Sequence, residues 1–243
     1  MIYIVGLGPG EQAQMTQKAL DAIEESEVIA GYTVYIELIQ DLIVGKEVLS
    51  TAMMKEVERC KMAVIEAGKG KVVTMVSSGD AGVYGMASLV IEVCEELGID
   101  TEIEVVAGIT AATSASAVLG APLTHDFAVI SLSNLLTPWE KIEKRLDLAS
   151  QAGFAIVLYN PSSKKRHDFL EKACNIVMKN ISGDTNCGYV RNIGRAGESA
   201  KILTLSELKD EKVDMFTTVI IGNETTKVMQ GKLVTPRGYR INE

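Results

Sequence analysis

The sequence predicts an α/β protein of two domains, with a mainly parallel sheet in the first and a mixed sheet in the second. Three observations carry this. Continuous apolar, β-rich runs alternate with amphipathic helical runs along nearly the whole chain, as expected of parallel strands covered on both faces. The 243 residues, 47% of them apolar, suit one large domain or two small α/β domains. A break at Leu119-Gly120-Ala121-Pro122-Leu123 separates two such series, because Gly120 ends a helix and Pro122 stops it from resuming. The boundary is expected near residue 121, giving domains 1–121 and 122–243.

In the first series, strands are expected at Ile2–Val5, Val28–Ala30, Val72–Val76 and Ile103–Val106. Amphipathic helices are expected near Thr16–Glu25, Lys55–Ala67 and Val83–Leu97. A further helix near Ala111–Leu119 is built from small residues that permit close packing. In the second series, strands are expected at Phe127–Ser131, Phe154–Tyr159, Cys187–Val190 and Thr217–Ile221, with helices near Trp139–Ala152 and Lys165–Lys179. The tail from Lys227 to Tyr239 reads as a short hairpin turning at Gly231-Lys232.

Composition excludes several classes. The formal net charge is −8 and no basic stripe is present, which argues against nucleic acid. No run of about 18 apolar residues is present, so no membrane span is expected. The chain begins directly with a strand-like run, which makes a cytoplasmic location the expectation. Cys60, Cys94, Cys174 and Cys187 form no CxxC pair and are expected to be buried free thiols. With only His125 and His167 besides, no metal site is expected.

Three small-residue segments follow strands. Gly6-Leu7-Gly8-Pro9-Gly10 permits a tight turn and close approach of a ligand to the backbone. It lacks the dinucleotide fingerprint: Glu11 stands where a third glycine belongs, and the second strand ends in Ala30-Gly31 without the acid that grips a ribose. No Gly-Lys-Ser/Thr is present either, so a ligand without phosphates is expected. Ser77-Ser78-Gly79-Asp80-Ala81-Gly82-Val83-Tyr84-Gly85-Met86 opens a helix that Asp80 is expected to cap. In Val106-Ala107-Gly108-Ile109-Thr110-Ala111-Ala112, Thr110 is an N-cap candidate whose hydroxyl can instead face a ligand. Each segment alone is also compatible with a purely structural turn or helix start; their convergence on one sheet edge is the stronger signal.

These three segments, in this order, resemble the landmarks of the tetrapyrrole methylases, and the resemblance covers essentially the whole chain. Two further stretches narrow it: His125-Asp126-Phe127 through Thr137-Pro138-Trp139-Glu140, and Leu158-Tyr159-Asn160-Pro161-Ser162-Ser163 followed by Arg166. With Gly31-Tyr32 and Arg191-Asn192-Ile193-Gly194-Arg195, they look like the branch that methylates C-17 of precorrin-3B or of cobalt-factor III. Asn134 stands where that branch more commonly has Asp, and Ala107 where the wider family often has Pro.

The resemblance implies two α/β domains with S-adenosyl-L-methionine in the cleft as methyl donor, S-adenosyl-L-homocysteine as product, and a homodimer. Carried over residue by residue, it implies cofactor contacts at Pro9, Ser78, Gly79, Asp80, Val83, Thr110 and Ala111. In the second domain the matching positions are Asn160, Asn192 or Ile193, Thr217 and Thr218. It implies methylation at C-17 with contraction of the macrocycle, on a substrate rich in carboxylates.

A negative protein needs local cations to grip such a substrate. The candidate groups are Lys164-Lys165-Arg166, Arg191 with Arg195, and Arg237 with Arg240, each also readable as solvated surface charge. Arg191 and Arg195 are favoured because their loop contains glycine and ends a strand. Tyr84 and Tyr159 are candidate hydrogen-bond donors to the ligands, Tyr84 to the substrate, with packing the equal alternative for both. His125 is the acid–base candidate, since imidazole titrates near neutrality, with a structural role the alternative. The other readings are methylation at C-20 or C-11, a dinucleotide-dependent oxidoreductase, and a non-catalytic tetrapyrrole-binding protein.

Overall fold

A computed structural model describes residues 1–163 and 166–240. The protein is α/β and divides into two compact units, Met1–Ala111 and Ala112–Glu243. The division precedes residue 121 because the two-residue strand Gly120–Ala121 pairs in parallel with Leu233–Val234, which ties the preceding helix to the second unit.

The first unit runs β1 (Ile2–Gly6), α1 (Gln17–Glu25), β2 (Val28–Tyr32), α2 (Thr33–Glu37), β3 (Glu47–Thr51), α3 (Glu56–Gly68), β4 (Val73–Ser77), α4 (Ala87–Leu97) and β5 (Ile103–Val106). Its five strands are all parallel, in the order β3-β2-β4-β1-β5. Side chains alternate across the sheet, so each strand feeds two cores. Ile2, Ile4, Val28, Ala30, Val73 and Met75 pack on one face with Cys60, Ala63 and Val64 of α3 and Val90 and Val93 of α4. Val5, Ile29, Val76 and Val106 pack on the other with Ala19, Ala22 and Ile23 of α1 and Ile36 of α2. Fully burying each Val, Ile or Met side chain among them stabilises the fold by about 2 kcal/mol. Helix α1 starts where Thr16 Oγ1 accepts from the Ala19 N–H at 3.1 Å.

The second unit runs α5 (Ala111–Leu119), β6 (Gly120–Ala121), β7 (Phe127–Ser131), α6 (Trp139–Gln151), β8 (Ala155–Tyr159), α7 (Phe169–Val177), β9 (Asn186–Arg191), β10 (Ser199–Thr204), α8 (Leu205–Leu208), β11 (Thr217–Ile221), β12 (Lys227–Met229) and β13 (Lys232–Val234). Its main sheet is mixed, in the order β10-β9-β11-β8-β7, with β7 and β8 parallel and β11 antiparallel to both β8 and β9. One face packs Ile156, Leu158, Val219 and Ile221 against Ile142 and Leu146 of α6 and Ala173 and Val177 of α7. On the other, Gly188 makes room for Leu119: a Cβ there would stand 2.8 Å from Leu119 Cδ2.

The expected hairpin is present, but Gln230-Gly231 form its turn rather than Gly231-Lys232. Both residues have positive φ, 50° and 73°, as a two-residue turn matched to strand twist requires. It closes at Val234 and does not extend to Tyr239. Helix α7 begins at Phe169, after a turn at His167-Asp168, rather than at Lys165; Lys164 and Lys165 lie outside the described residues.

Candidate active site

Strands β4, β1 and β5 are neighbours, so the three small-residue loops at their carboxyl ends are neighbours too. Such strand ends are where open α/β sheets bind ligands. The loops interlock through backbone. Gly8 N–H donates to Gly79 O at 3.0 Å and Gly79 N–H donates to Gly8 O at 2.7 Å. A Cβ on Gly6 would stand 2.6 Å from Gly79 O and 2.8 Å from Gly108 N, and one on Gly108 would stand 2.5 Å from Gly6 O. These two glycines therefore serve contact of backbone with backbone. Gly79 differs: its φ is +69° and a Cβ would meet nothing closer than 3.7 Å.

Asp80 does not cap α4, which starts at Ala87 rather than Val83. Its Oδ1 accepts from Gly82 N–H at 2.8 Å and its Oδ2 accepts from Gly108 N–H at 3.0 Å, joining the β4 loop to the β5 loop. The late helix start has a local cause. Tyr84 holds φ 55°, a left-handed value that interrupts helical backbone and is strained for a bulky side chain. Thr16, the cap of α1, also donates to Ala107 O at 3.4 Å and so ties the third loop to that helix.

Within these loops Pro9 and Gly79 are buried, and Ser78, Asp80, Val83, Thr110 and Ala111 are half-buried. Tyr84 is 58% exposed. The loops contain Asp80 and adjoin Glu11, with no Lys or Arg. That donor set suits a cationic, phosphate-free ligand and disfavours a dinucleotide. At the tip of β4, Ser77 Oγ is buried and has no hydrogen-bond partner among the described residues, a feature that loop composition alone does not signal.

The second unit gathers a matching set at one edge of its sheet. Strands β7, β8 and β9 end there at Ser131, Tyr159 and Arg191, and β11 begins there, with Thr217 opposite Arg191 and Val219 opposite Leu158. The structure thus brings Asn160, Asn192, Thr217 and Thr218 together on one edge. Asn160 (φ 53°) and Asn192 (φ 54°) are both left-handed, each directly after a strand. Paired strain of this kind at strand ends is characteristic of ligand-binding positions.

Ser131 and Ser133 were not singled out by the sequence. Ser131 Oγ accepts from Asn160 Nδ2 at 3.0 Å and from Ser133 N–H at 3.2 Å. The available signal was two serines spaced to share one strand face. Tyr159 OH accepts from Ala112 N–H at 2.7 Å rather than acting only as a donor.

The favoured cations are differently disposed from expectation. Arg191 Nη2 donates to Lys212 O at 2.8 Å, and its Nε lies 3.4 Å from Asp214 Oδ2. Asp214 Oδ1 in turn accepts from Thr217 Oγ1 at 2.9 Å. Arg191 is therefore matched by a carboxylate of its own unit. The Arg195 guanidinium lies 5.8 Å from the centre of the Phe216 ring. Arg237 and Arg240 lie in the exposed segment after β13. Arg166 reaches the edge instead: Nε donates to Ser163 Oγ at 3.0 Å and Nη1 donates to Ser133 Oγ at 2.7 Å.

His125 is not brought to that edge. It is exposed and precedes β7, at the strand's amino end, where Asp126 O accepts from Ala155 N–H. At about 3.3 Å per residue, β7 carries the chain roughly 20 Å from His125 to Ser131. Its expected acid–base role lacks partners among the residues gathered at the carboxyl edge.

All four cysteines are free and buried, as expected. Burial pushes the thiols of Cys60 and Cys174 up to about 12, so neither supplies a thiolate near neutrality. No described helix is long and apolar enough to cross a membrane.

Residues 1–209 match the model of the Tetrapyrrole (Corrin/Porphyrin) Methylases. A probable cobalt-factor III C(17)-methyltransferase of Salmonella typhimurium is 44% identical over 241 residues, covering 99% of this chain and all of that one. A precorrin-3B C(17)-methyltransferase of Sinorhizobium sp is 37% identical, covering 98% and 96%. The crystal structure of the methyltransferase CobJ superposes with a TM-score of 0.92 at 34% identity, covering 97% of this chain and 99% of that one. Interlocked glycine loops on a parallel sheet, strained asparagines on a mixed one, and similarity across the full length agree: the chain belongs to the tetrapyrrole methylase family.

Proposed function

We propose that the protein is an S-adenosyl-L-methionine-dependent C-methyltransferase that methylates C-17 of precorrin-3B or cobalt-factor III in cobalamin biosynthesis, with contraction of the ring. The observation that carries this reading is the set of three interlocked loops without basic residues, in a chain whose full-length relatives bear C(17)-methyltransferase names.

The donor, when bound, supplies an electrophilic methyl group on a sulfonium. The residues proposed to hold it are Pro9, Ser78, Gly79, Asp80, Val83, Thr110 and Ala111 of the first unit, with Asn160, Asn192, Thr217 and Thr218 of the second. Fixed backbone suits this task, because in-line transfer gains most of its rate from holding two ligands in attack geometry and keeping water out. The negative charge of Asp80, held by two backbone N–H groups, favours a cation near the loops. A Ser-His-Asp triad is neither needed for this chemistry nor legible in the sequence. Tyr84 is proposed to meet the substrate. The proposed protein acts in the cytoplasm and pairs as a homodimer, which light scattering of the purified protein would test.

The decisive experiment incubates the protein anaerobically with methyl-labelled S-adenosyl-L-methionine and either cobalt-factor III or precorrin-3B. The expected product gains one labelled methyl, located at C-17 by carbon-13 resonance. A label at C-20 or C-11 would move the assignment to another position. No transfer to either substrate, or binding of NAD in place of the sulfonium donor, would overturn it.

A further inference from the structure

Arg166 and Arg191 are both half-buried, but two features separate them. Arg166 is oriented by two neutral hydroxyls, Ser163 and Ser133, and among the described residues it pairs with no carboxylate, whereas Arg191 faces Asp214. A positive charge removed partly from water and left without a counter-ion is unfavourable unless something supplies the negative charge. The two hydroxyls accept from Nε and Nη1, which leaves the remaining N–H groups of the fork to donate elsewhere. Three remain, one on Nη1 and two on Nη2, and a coplanar two of them, one from each Nη, match the two oxygens of a carboxylate.

The placement is as specific as the charge. Ser133, which aims Nη1, donates its own backbone N–H to Ser131 Oγ, and Ser131 Oγ also accepts from Asn160 Nδ2. A continuous chain of hydrogen-bonded groups thus links Arg166 to the strained asparagine at the carboxyl edge of the second sheet. By contrast, the Arg191 guanidinium already faces Asp214 and the Lys212 carbonyl.

We propose that Arg166 is the substrate-anchoring residue of this unit, binding a peripheral carboxylate of the tetrapyrrole through a fork aimed by Ser133 and Ser163. This rests on the methyltransferase reading and assigns the carboxylate grip to a different arginine from the one the loop composition favours.

The test measures three variants beside the wild type: Arg166→Gln, Arg166→Lys and Ser133→Ala. Anaerobic turnover gives KM for cobalt-factor III, calorimetry gives Kd for S-adenosyl-L-methionine, and fluorescence quenching gives Kd for uroporphyrin, a porphyrin octacarboxylate that needs no turnover. Loss of one charge-assisted, two-pronged contact is expected to raise KM for cobalt-factor III and Kd for uroporphyrin about 10- to 100-fold in Arg166→Gln. Affinity for S-adenosyl-L-methionine should change less than affinity for the tetrapyrrole, because Arg166 reaches Asn160 only through Ser133 and Ser131. Arg166→Lys should recover part of the loss, because charge remains while the fork does not.

A merely structural strut would lower the melting temperature of Arg166→Gln and leave tetrapyrrole affinity unchanged, and that result overturns the proposal. If Arg166→Gln fails to fold, Ser133→Ala decides: it keeps the charge and removes the aim, and unchanged tetrapyrrole affinity rejects the assignment. The two readings fail separately. A wild-type protein that binds uroporphyrin through Arg166 but methylates neither corrin precursor loses the C-17 reading and keeps the anchor. One that binds neither tetrapyrrole loses both.

Discussion

The carboxylate of Asp80 accepts from Gly82 and Gly108, two N–H groups in different loops, so its negative charge and its tethering of backbone are the same feature. Removing it frees both donors and lets the β5 loop drift from the β4 loop. Asp80→Ala should therefore weaken S-adenosyl-L-methionine binding about 10- to 100-fold, the range for hydrogen bonds to a charged group. Asp80→Asn, which keeps one acceptor, should fall between; calorimetric titration of the three proteins checks the order. Equal affinity in Asp80→Ala would mean that the remaining contacts hold the loops without it. His125 gives the opposite expectation. It sits exposed at the amino end of β7, while Ser131 and Asn160 share the carboxyl end. His125→Ala should leave the single-turnover rate of methyl transfer within about twofold of wild type, and a loss of tenfold or more would restore it to the chemistry.

At the level of elements, the loops depend on glycine for space more than for torsional freedom. A Cβ on Gly108 would collide with Gly79 O and press on Gly6 O, and Gly79 O cannot yield without breaking the pairing of Gly8 with Gly79. Gly70 provides the control: its φ is +90°, but a Cβ there meets nothing within 4 Å. Gly108→Ala should destabilise by about 3 kcal/mol and Gly70→Ala by about 1 kcal/mol, read from urea denaturation. Comparable losses would show that the loops can spread.

Such packing is only half legible in a sequence. The parallel strands were legible because Ile2, Ile4, Val73 and Met75 are buried on one face while Val5 and Val76 are buried on the other, which leaves uninterrupted apolar runs. Edge strands β3 and β10 were not, since Glu47, Ser199 and Lys201 face water and blur the period. Helix α8 has four residues, too few for a period to register. The same limit governs the site. Strand-end glycines and asparagines announce themselves by type, whereas the Arg166–Ser133–Ser131–Asn160 chain joins residues far apart in sequence and carries no local pattern.

Across the whole molecule, 24 Lys and Arg stand against 32 Asp and Glu, giving the net charge of −8. A field of that sign acts oppositely on the two proposed ligands. A polycarboxylate tetrapyrrole is repelled at long range and attracted only once it is near a local cation such as Arg166. The sulfonium donor, with one net positive charge, is attracted throughout. Raising ionic strength from 0.01 to 0.15 M shortens the screening length from about 30 Å to about 8 Å, which removes the long-range part and leaves half-buried contacts largely intact. Stopped-flow association of uroporphyrin should therefore speed up over this range, while that of S-adenosyl-L-methionine slows. A binder that used a broad basic patch would show the tetrapyrrole rate falling steeply with salt. That outcome would place the carboxylate grip on a distributed surface rather than on one aimed guanidinium.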